Sequence, residues 1–263
     1  MCAAPLAHQR LHRRAFVAGV GGLFIGGCCE PEPPKQTTTP KPSAESSPLT
    51  VERVSVLIAK DFTENCYVVI DEATRSGIIV DPGGAEDQIA RIVRERGLDI
   101  KAIVGTHGHF DHVFGAAALV PLVSSRFALH PADQPWLDQL SERAARYGLG
   151  PASAPKIDLP LEHGTELRLG RRVARVLHTP GHSKGSCCLL FADDGVLLSG
   201  DTLFAGSVGR TDLEGGSIEE LQASIRSHLL PLDDAVRVFP GHDELTTMGQ
   251  EKQTNGFLRR WMG

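Results

Sequence analysis

The chain has 263 residues, of which 41% are hydrophobic and 22% charged. This composition is ordinary for a globular protein with one large domain or two small ones. Its formal net charge of −5 argues against the basic surface that nucleic-acid binding needs, so no nucleic-acid partner is expected.

Residues 1–28 have the features of an export signal. Arg13 and Arg14 precede an apolar, glycine-rich run at residues 15–27, which is about half as long as a membrane-spanning helix. The arginine pair resembles a twin-arginine signal. The residues before Cys28 resemble the lipobox of bacterial lipoproteins, and the neighbouring Cys29 is the alternative site of lipid attachment.

Residues 29–50 are predicted to be a linker, because they contain six prolines and few large apolar side chains. A folded domain is expected over residues 51–263. The signal and the linker together predict an exported protein on the periplasmic side of the cell envelope, attached to the membrane only through an N-terminal lipid.

The pattern of the folded region predicts strands followed by helices, twice. Runs at residues 54–58, 66–70 and 77–80 favour an antiparallel meander. A helix ending near Gly97 follows, then a buried strand at 100–104 and a helix over 131–147. The second half is predicted to contain strands near 166–169, 172–177, 187–191 and 196–198, a helix begun by the capping box of Ser217 and Glu220, a strand at 236–239 and a last helix. This order predicts an α/β fold with two sheets packed face to face and helices outside.

Residues 106–112, THGHFDH, contain four potential metal ligands within six residues: His107, His109, Asp111 and His112. They follow the predicted strand 100–104, and loops at strand ends commonly hold functional groups. A catalytic zinc site takes about three protein ligands, so four candidates exceed the needs of one open site. The spacing therefore predicts two metals, one on His107 and His109 and the other on Asp111 and His112.

Three later side chains stand in the same setting, directly after an apolar strand and beside glycine or proline. They are His182, Asp201 and His242. Taken alone, a histidine after glycine is more often a turn residue, and an aspartate in Gly-Asp-Thr is more often a helix cap.

Together with residues 106–112, these positions resemble the five motifs of the metallo-β-lactamase superfamily, and more narrowly the short bacterial relatives of glyoxalase II. The resemblance extends over residues 52–260 and includes ENCY (64–67), VDPGG (80–84), GDTLF (200–204), GSVGRTD (206–212) and EKQTN (251–255). It implies a four-layer αβ/βα sandwich whose metal site lies in the cleft at the sheet edges.

The resemblance also implies a complete ligand set. His107, His109 and His182 would bind the first metal, and Asp201 would bridge to a second metal held by Asp111, His112 and His242. The expected cofactors are two divalent ions, with Zn²⁺ as the first choice and iron or manganese as alternatives.

The implied activity is that of a metallohydrolase acting on a small-molecule thioester of the hydroxyacylglutathione type. A bridging hydroxide, oriented by Asp111, would attack the thioester carbonyl. Arg210 and Lys184 are predicted to contact a substrate carboxylate, and the alternative for Arg210 is an ion pair with Asp212 or Asp233.

Three other functions stay open. Asp243 after His242 resembles the persulfide dioxygenases of the same superfamily, which bind one iron. A β-lactamase-like hydrolase is suggested by the export signal, although secreted metallo-β-lactamases carry cysteine or serine where Asp201 stands. A non-catalytic metal-binding lipoprotein is the alternative from another class. Glutathione specificity is also open, because full-length glyoxalase II makes most of its glutathione contacts through an additional C-terminal helical domain.

Overall fold

The computed structural model describes residues 47–59 and 62–262. The predicted signal and most of the predicted linker lie outside the described residues. The first strand already begins at Leu49, inside the predicted linker, because its residues pair with those of the next strand from the Leu49–Asp71 pair onward.

The first half of the fold is a six-stranded sheet in chain order. Its strands are β1 (Leu49–Ala59), β2 (Phe62–Asp71), β3 (Ser76–Val80), β4 (Asp99–Val104), β5 (Phe127–Leu129) and β6 (Leu159–Pro160). The first three strands form the predicted antiparallel meander, whereas β3 to β6 pair in parallel.

The second half contains the strands β7 (Glu166–Leu169), β8 (Arg172–His178), β9 (Cys187–Phe191), β10 (Val196–Gly200), β11 (Leu203–Phe204), β12 (Ser207–Val208), β13 (Arg237–Pro240) and β14 (Thr246–Thr247). The second sheet has the order β14-β13-β10-β9-β8-β7, and β11 with β12 forms a separate ribbon. Only β10 and β13 pair in parallel among the described strands of this sheet.

The helices are α1 (Glu86–Arg96), α2 (Phe110–Val113), α3 (Ala116–Leu122), α4 (Gln134–Asp138), α5 (Leu140–Ala145), α6 (Ile218–Ser224), α7 (Met248–Thr254) and α8 (Gly256–Met262). Helix α1 shows why they form. Glu86 and Asp87 in its first turn complement the helix dipole, Ile89 and Val93 face the core, and Gly97 ends it in the left-handed region at φ 59°. None of the helices in the described part of the chain is long and apolar enough to span a membrane.

Successive side chains of β2 point to opposite faces of the sheet and so pack into different layers of the core. Tyr67 and Val69 pack between the two sheets, while Val68 and Ile70 face the opposite way, toward α1 and α3. On the second sheet, Leu197 likewise faces a cluster with α6 and α8. The chain therefore forms the predicted α/β sandwich of four layers, in which two sheets lie between outer helices.

The predicted helix over residues 131–147 is broken into three pieces: a 3₁₀ turn (Pro131–Asp133), α4 and α5. Proline is tolerated in the first turn of a helix but disrupts its interior, so Pro131 and Pro135 each mark a new start. Cys187 and Cys188 are buried and free, and they pack in the core as apolar side chains.

Candidate metal centre

The sheets bring the predicted ligands together because each ligand group follows the carboxyl end of a strand. Residues 106–112 follow β4, and His182 follows β8. Asp201 and His242 follow β10 and β13, which run parallel, so their ends meet at one edge. All seven predicted ligand residues lie in this one centre, where their nitrogen and oxygen atoms form overlapping sets of three within 4.8 Å of one another.

The first group is formed by His107, His109 and His182, all buried. His109 Nδ1 lies 3.0 Å from His107 Nε2 and 2.9 Å from His182 Nε2. Three ring nitrogens therefore face one point.

The second group is formed by Asp111, His112 and His242. The Nε2 atoms of His112 and His242 are 3.2 Å apart, and Asp111 Oδ2 lies 3.3 Å from His242 Nε2. The side chain of Asp201 lies between the two groups. Its Oδ1 is 3.5 Å from His112 Nε2, and its Oδ2 is 3.4 Å from His182 Nε2.

Contacts behind the imidazoles fix their tautomers. The Nδ1–H groups of His182 and His242 donate to the backbone carbonyls of Arg210 at 2.8 Å and Thr63 at 2.7 Å. His112 Nδ1–H donates to the Asp81 carboxylate at 3.1 Å. In each of these rings the inward-facing Nε2 then carries a lone pair, and this neutral tautomer is the one that binds metal.

This geometry fits a divalent cation. Inward lone pairs at 2.9–3.2 Å from one another repel unless a positive charge lies between them. Asp201 Oδ1 is buried and has no hydrogen-bond partner among the described residues, although buried polar atoms are normally paired. The histidine and carboxylate donors are those that zinc, iron and manganese use.

The charges of the centre differ between the two groups. Burial, followed by the neighbouring imidazoles, lowers the pKa of His107 and His109 well below the usual value. Burial also acts to lower the pKa of His112, but the nearby carboxylates, led by Asp201, outweigh it and raise that pKa. Burial acts to raise the pKa of Asp111, but His112 and His242 hold it well below its usual value, so Asp111 is ionised.

Two glycines allow the backbone to approach the centre. A Cβ atom on Gly241 would lie 2.5 Å from Asp201 Oδ1 and 2.6 Å from His112 Cε1, and a Cβ on Gly209 would lie 1.9 Å from the Asp201 carbonyl oxygen. Glycine at these positions is therefore required by the close packing of the donors.

Sequence reasoning missed Asp133. This fully buried carboxylate accepts hydrogen bonds from Gly108 N–H at 2.8 Å, the Ser183 hydroxyl at 2.7 Å and Gly185 N–H at 2.6 Å. Gly108 lies between two ligands of the first group, and Ser183 follows the third. Asp133 thus ties together the two loops that carry this group.

A cleft of about 600 Å³ opens onto the centre. Arg210 lies on its wall, but its guanidinium is paired with Asp212 through Nε at 2.8 Å and Nη2 at 2.7 Å, which was the alternative considered for it. Lys184 does not line the cleft among the described residues, and its Nζ instead contacts Glu220 at 2.8 and 2.9 Å. The lining also contains Arg143 and Arg146, which the sequence reasoning did not select.

Known proteins resemble this chain in sequence. A family profile described as "Metallo-beta-lactamase superfamily" matches residues 59–242. The hydroxyacylglutathione hydrolase GloC of Haemophilus influenzae is 34% identical over 212 residues, which cover 78% of this chain and 97% of GloC.

Solved structures extend the comparison. The BLEG-1 B3 metallo-beta-lactamase has a TM-score of 0.72 and 35% identity, covering 80% of this chain and 99% of that one. TTHA1623 in a di-iron-bound form has a TM-score of 0.70 and 38% identity, covering 79% and 100%. ETHE1 from Myxococcus xanthus has a TM-score of 0.63 and 25% identity, covering 81% and 90%. The clustered donors and the similarity to a di-iron protein support the binding of divalent metal.

Proposed function

Because the chain belongs to the metallo-beta-lactamase superfamily, we propose that it is a metal-dependent hydrolase that cleaves small-molecule thioesters of the hydroxyacylglutathione type. The observation that carries this proposal is the side chain of Asp201, which lies within 3.6 Å of nitrogens from both ligand groups. One carboxylate shared between two sets of donors is the arrangement that a two-metal hydrolase needs. The similarity to the protein named hydroxyacylglutathione hydrolase supports the choice of a thioester.

Two divalent ions are proposed to bind here, the first on His107, His109 and His182, the second on Asp111, His112 and His242, with Asp201 shared. When bound, such ions lower the pKa of a water molecule toward about 7 and polarise a carbonyl oxygen. The side chains of the centre would orient the attacking water. The ionised Asp111 lies 3.5 Å from His112 Nε2 and 3.3 Å from His242 Nε2. It would accept a hydrogen bond from the attacking water and so direct a lone pair of that water toward the cleft.

The chemistry of the leaving group suits this arrangement. A free thiol has a pKa of about 8.5, so a thiolate departs without prior protonation. The mechanism therefore needs no dedicated general acid, in contrast to the cleavage of an ester with an alkoxide leaving group.

Metal analysis combined with a thiol-release assay on S-lactoylglutathione tests the proposal. We expect about two metal ions per chain and release of free thiol, and we expect His182→Ala to lose both metal and activity. His163→Gln is the matched control, because His163 is exposed and lies outside the centre. One iron per chain with oxygen uptake on glutathione persulfide, and no thioester cleavage, would assign the chain to the dioxygenase alternative instead.

Hydrolysis of β-lactams is the second candidate, favoured by the similarity to BLEG-1. The same preparation should be assayed with a chromogenic cephalosporin. We expect thioester cleavage to be the faster reaction, because Asp201 stands where the resemblance places cysteine or serine in secreted metallo-β-lactamases; faster cephalosporin cleavage would reverse this order.

Export and anchoring through Cys28 belong to the same proposal. They are supported by Arg13-Arg14 and by the residues before Cys28, which lie outside the described part of the chain. A lipid anchor would place the hydrolase at the cell envelope, in contact with the membrane only through its N-terminal lipid.

A further inference from the structure

One wall of the cleft is a stack of aromatic rings. Phe110 lies 4.5 Å from Tyr147, Tyr147 lies 6.3 Å from Phe62, and Phe62 lies 5.2 Å from the imidazole of His242, measured between ring centroids. The angles between successive ring planes are only 29°, 29° and 20°. The stack thus ends at the imidazole of a predicted ligand of the second metal.

The outer part of this stack is open to solvent. Tyr147 is 54% exposed, whereas Phe110 below it is 9% exposed. A large aromatic side chain left half exposed on the wall of a cleft offers a flat apolar surface on which a planar group can stack. The cleft therefore presents a stacking surface beside the metal centre.

Three arginines surround the same space. Arg143, Arg146 and Arg210 all line the cleft. The Arg143 guanidinium lies 3.8 Å from the centre of the Trp136 ring, which fixes its position. Asp243 is the one carboxylate that the described lining contains beyond the proposed metal ligands. An anionic group is therefore favoured in the cleft.

Each of these arginines is held by a surface carboxylate outside the cleft lining. Arg143 pairs with Glu214 at 2.6 Å, Arg146 with Glu142 at 2.6 Å and Arg210 with Asp212 at 2.7 Å. The three carboxylates are 65–69% exposed. Exposed ion pairs are weak and screened by solvent. A substrate carboxylate can therefore replace one of these partners on its arginine with little loss of protein stability.

We infer that the cleft selects thioesters that carry both a flat apolar ring and a carboxylate, with the ring against Tyr147 and Phe62 and the carboxylate on the arginines. This inference rests on the proposed thioester hydrolysis and narrows its substrate class. Lactoylglutathione carries carboxylates but no ring, so it is expected to be a poorer substrate than a thioester with both groups.

Four matched thioesters test the two requirements separately. They combine a propionyl or a phenylacetyl acyl group with N-acetylcysteamine or N-acetylcysteine, two thiols that differ by one carboxylate. Rates are divided by those of uncatalysed alkaline hydrolysis, which removes intrinsic reactivity. We expect kcat/KM to rise about threefold to tenfold with the ring and about tenfold with the carboxylate.

Variants of the full-length, metal-loaded protein assign each gain to its residues. Tyr147→Leu is expected to reduce the ratio of kcat/KM between phenylacetyl and propionyl substrates. Arg146→Gln is expected to reduce the ratio of kcat/KM between N-acetylcysteine and N-acetylcysteamine substrates. Arg168→Gln is the control, since Arg168 is 71% exposed, pairs with Glu166 and is absent from the described cleft lining; it should change neither ratio.

The outcomes separate the two proposals. Equal kcat/KM for all four thioesters leaves the hydrolase assignment standing and overturns the selectivity. A ring preference that persists in Tyr147→Leu overturns the first half of the assignment. A carboxylate preference that persists in each of Arg143→Gln, Arg146→Gln and Arg210→Gln overturns the second half. Failure to hydrolyse any of the four while S-lactoylglutathione is cleaved overturns the selectivity alone, and failure on S-lactoylglutathione as well overturns both proposals.

Discussion

Replacement of Asp133 by asparagine is expected to loosen the two loops that carry the first metal group. In the native protein Oδ2 of Asp133 accepts from Gly108 N–H and from the Ser183 hydroxyl, and Oδ1 accepts from Gly185 N–H. The amide of asparagine keeps one acceptor oxygen and turns an NH₂ group toward at least one of these donors. A donor then stays unpaired at a site with no access to water.

The size of the effect follows from those bonds. A hydrogen bond to a charged group contributes about 1.5–3 kcal/mol, and an unsatisfied buried donor costs about 1–3 kcal/mol. Loss of one bond should therefore destabilise the protein by about 2–4 kcal/mol. For a domain of this size, at roughly 2–4 °C for each kcal/mol, the melting temperature should fall by about 4–16 °C. Because the loops position the ligands, affinity for the first metal should fall about 10- to 100-fold.

Thermal unfolding of the metal-free protein measures the first effect, and metal content after dialysis against graded chelator measures the second. Asp138→Asn is the matched control, because Asp138 is exposed and its only described side-chain hydrogen bond is with Gln134. If Asp133→Asn and Asp138→Asn unfold at the same temperature and retain metal equally, the proposed role of Asp133 is refuted.

Three more substitutions test other parts of the molecule. Asp201→Ala removes the shared carboxylate, so metal analysis should find about one ion in place of two and thiol release should slow by more than about 100-fold; two retained ions would contradict the bridging role. Gly241→Ala forces a Cβ to within 2.6 Å of Asp201 and His112 and should lower metal content, whereas Gly150→Ala, with no atom within 4 Å of the new Cβ, should leave it unchanged. Cys28→Ser should move the protein from the membrane fraction to the soluble fraction, and unchanged fractionation would exclude Cys28 as the lipid attachment site.

The sequence predicted the fold where residue patterns extend over several turns or strand residues. The strands β2, β4 and β10 contain apolar runs at residues 66–70, 102–104 and 196–198. Half of the predicted capping box forms: the Ser217 hydroxyl accepts from Glu220 N–H at 3.2 Å, but Ser217 N–H donates to the carbonyl of Gly181 at 2.8 Å and the Glu220 carboxylate contacts Lys184 instead. The strands that sequence reasoning missed, among them β5, β6 and β14, have only two or three residues. Such segments are too short to show a period, and tertiary pairing decides their conformation.

The donors of the centre could be found from sequence because each follows a strand and stands beside glycine, proline or another donor. Asp133 gave no such signal. Its burial depends on Ser183 and Gly185, about 50 positions away in sequence. The aromatic stack was hidden for the same reason, since Phe62 and Tyr147 come from opposite ends of the first half of the chain and meet only after folding.

The metal centre also joins the two sheets, and this links the chemistry of the site to folding. His242 follows β13 of the second sheet, yet its Nδ1–H donates to the carbonyl of Thr63 in the first sheet. Close by, the Tyr67 hydroxyl donates to the carbonyl of Pro240 at 2.7 Å, and Asn65 N–H donates to that of Gly241 at 2.8 Å.

Asp81 contributes from the first half, and its backbone has the left-handed φ of 53° that disfavours residues other than glycine. It accepts hydrogen bonds from Thr106 N–H at 2.6 Å, from the Thr106 hydroxyl at 2.7 Å and from His112 at 3.1 Å, which offset that strain. The inward lone pairs are thus aligned by contacts that exist only after the sheets have packed. Metal affinity and the stability of the sheet interface consequently depend on the same hydrogen bonds, and a substitution at Asn65 or Tyr67 acts on metal binding without contacting the metal.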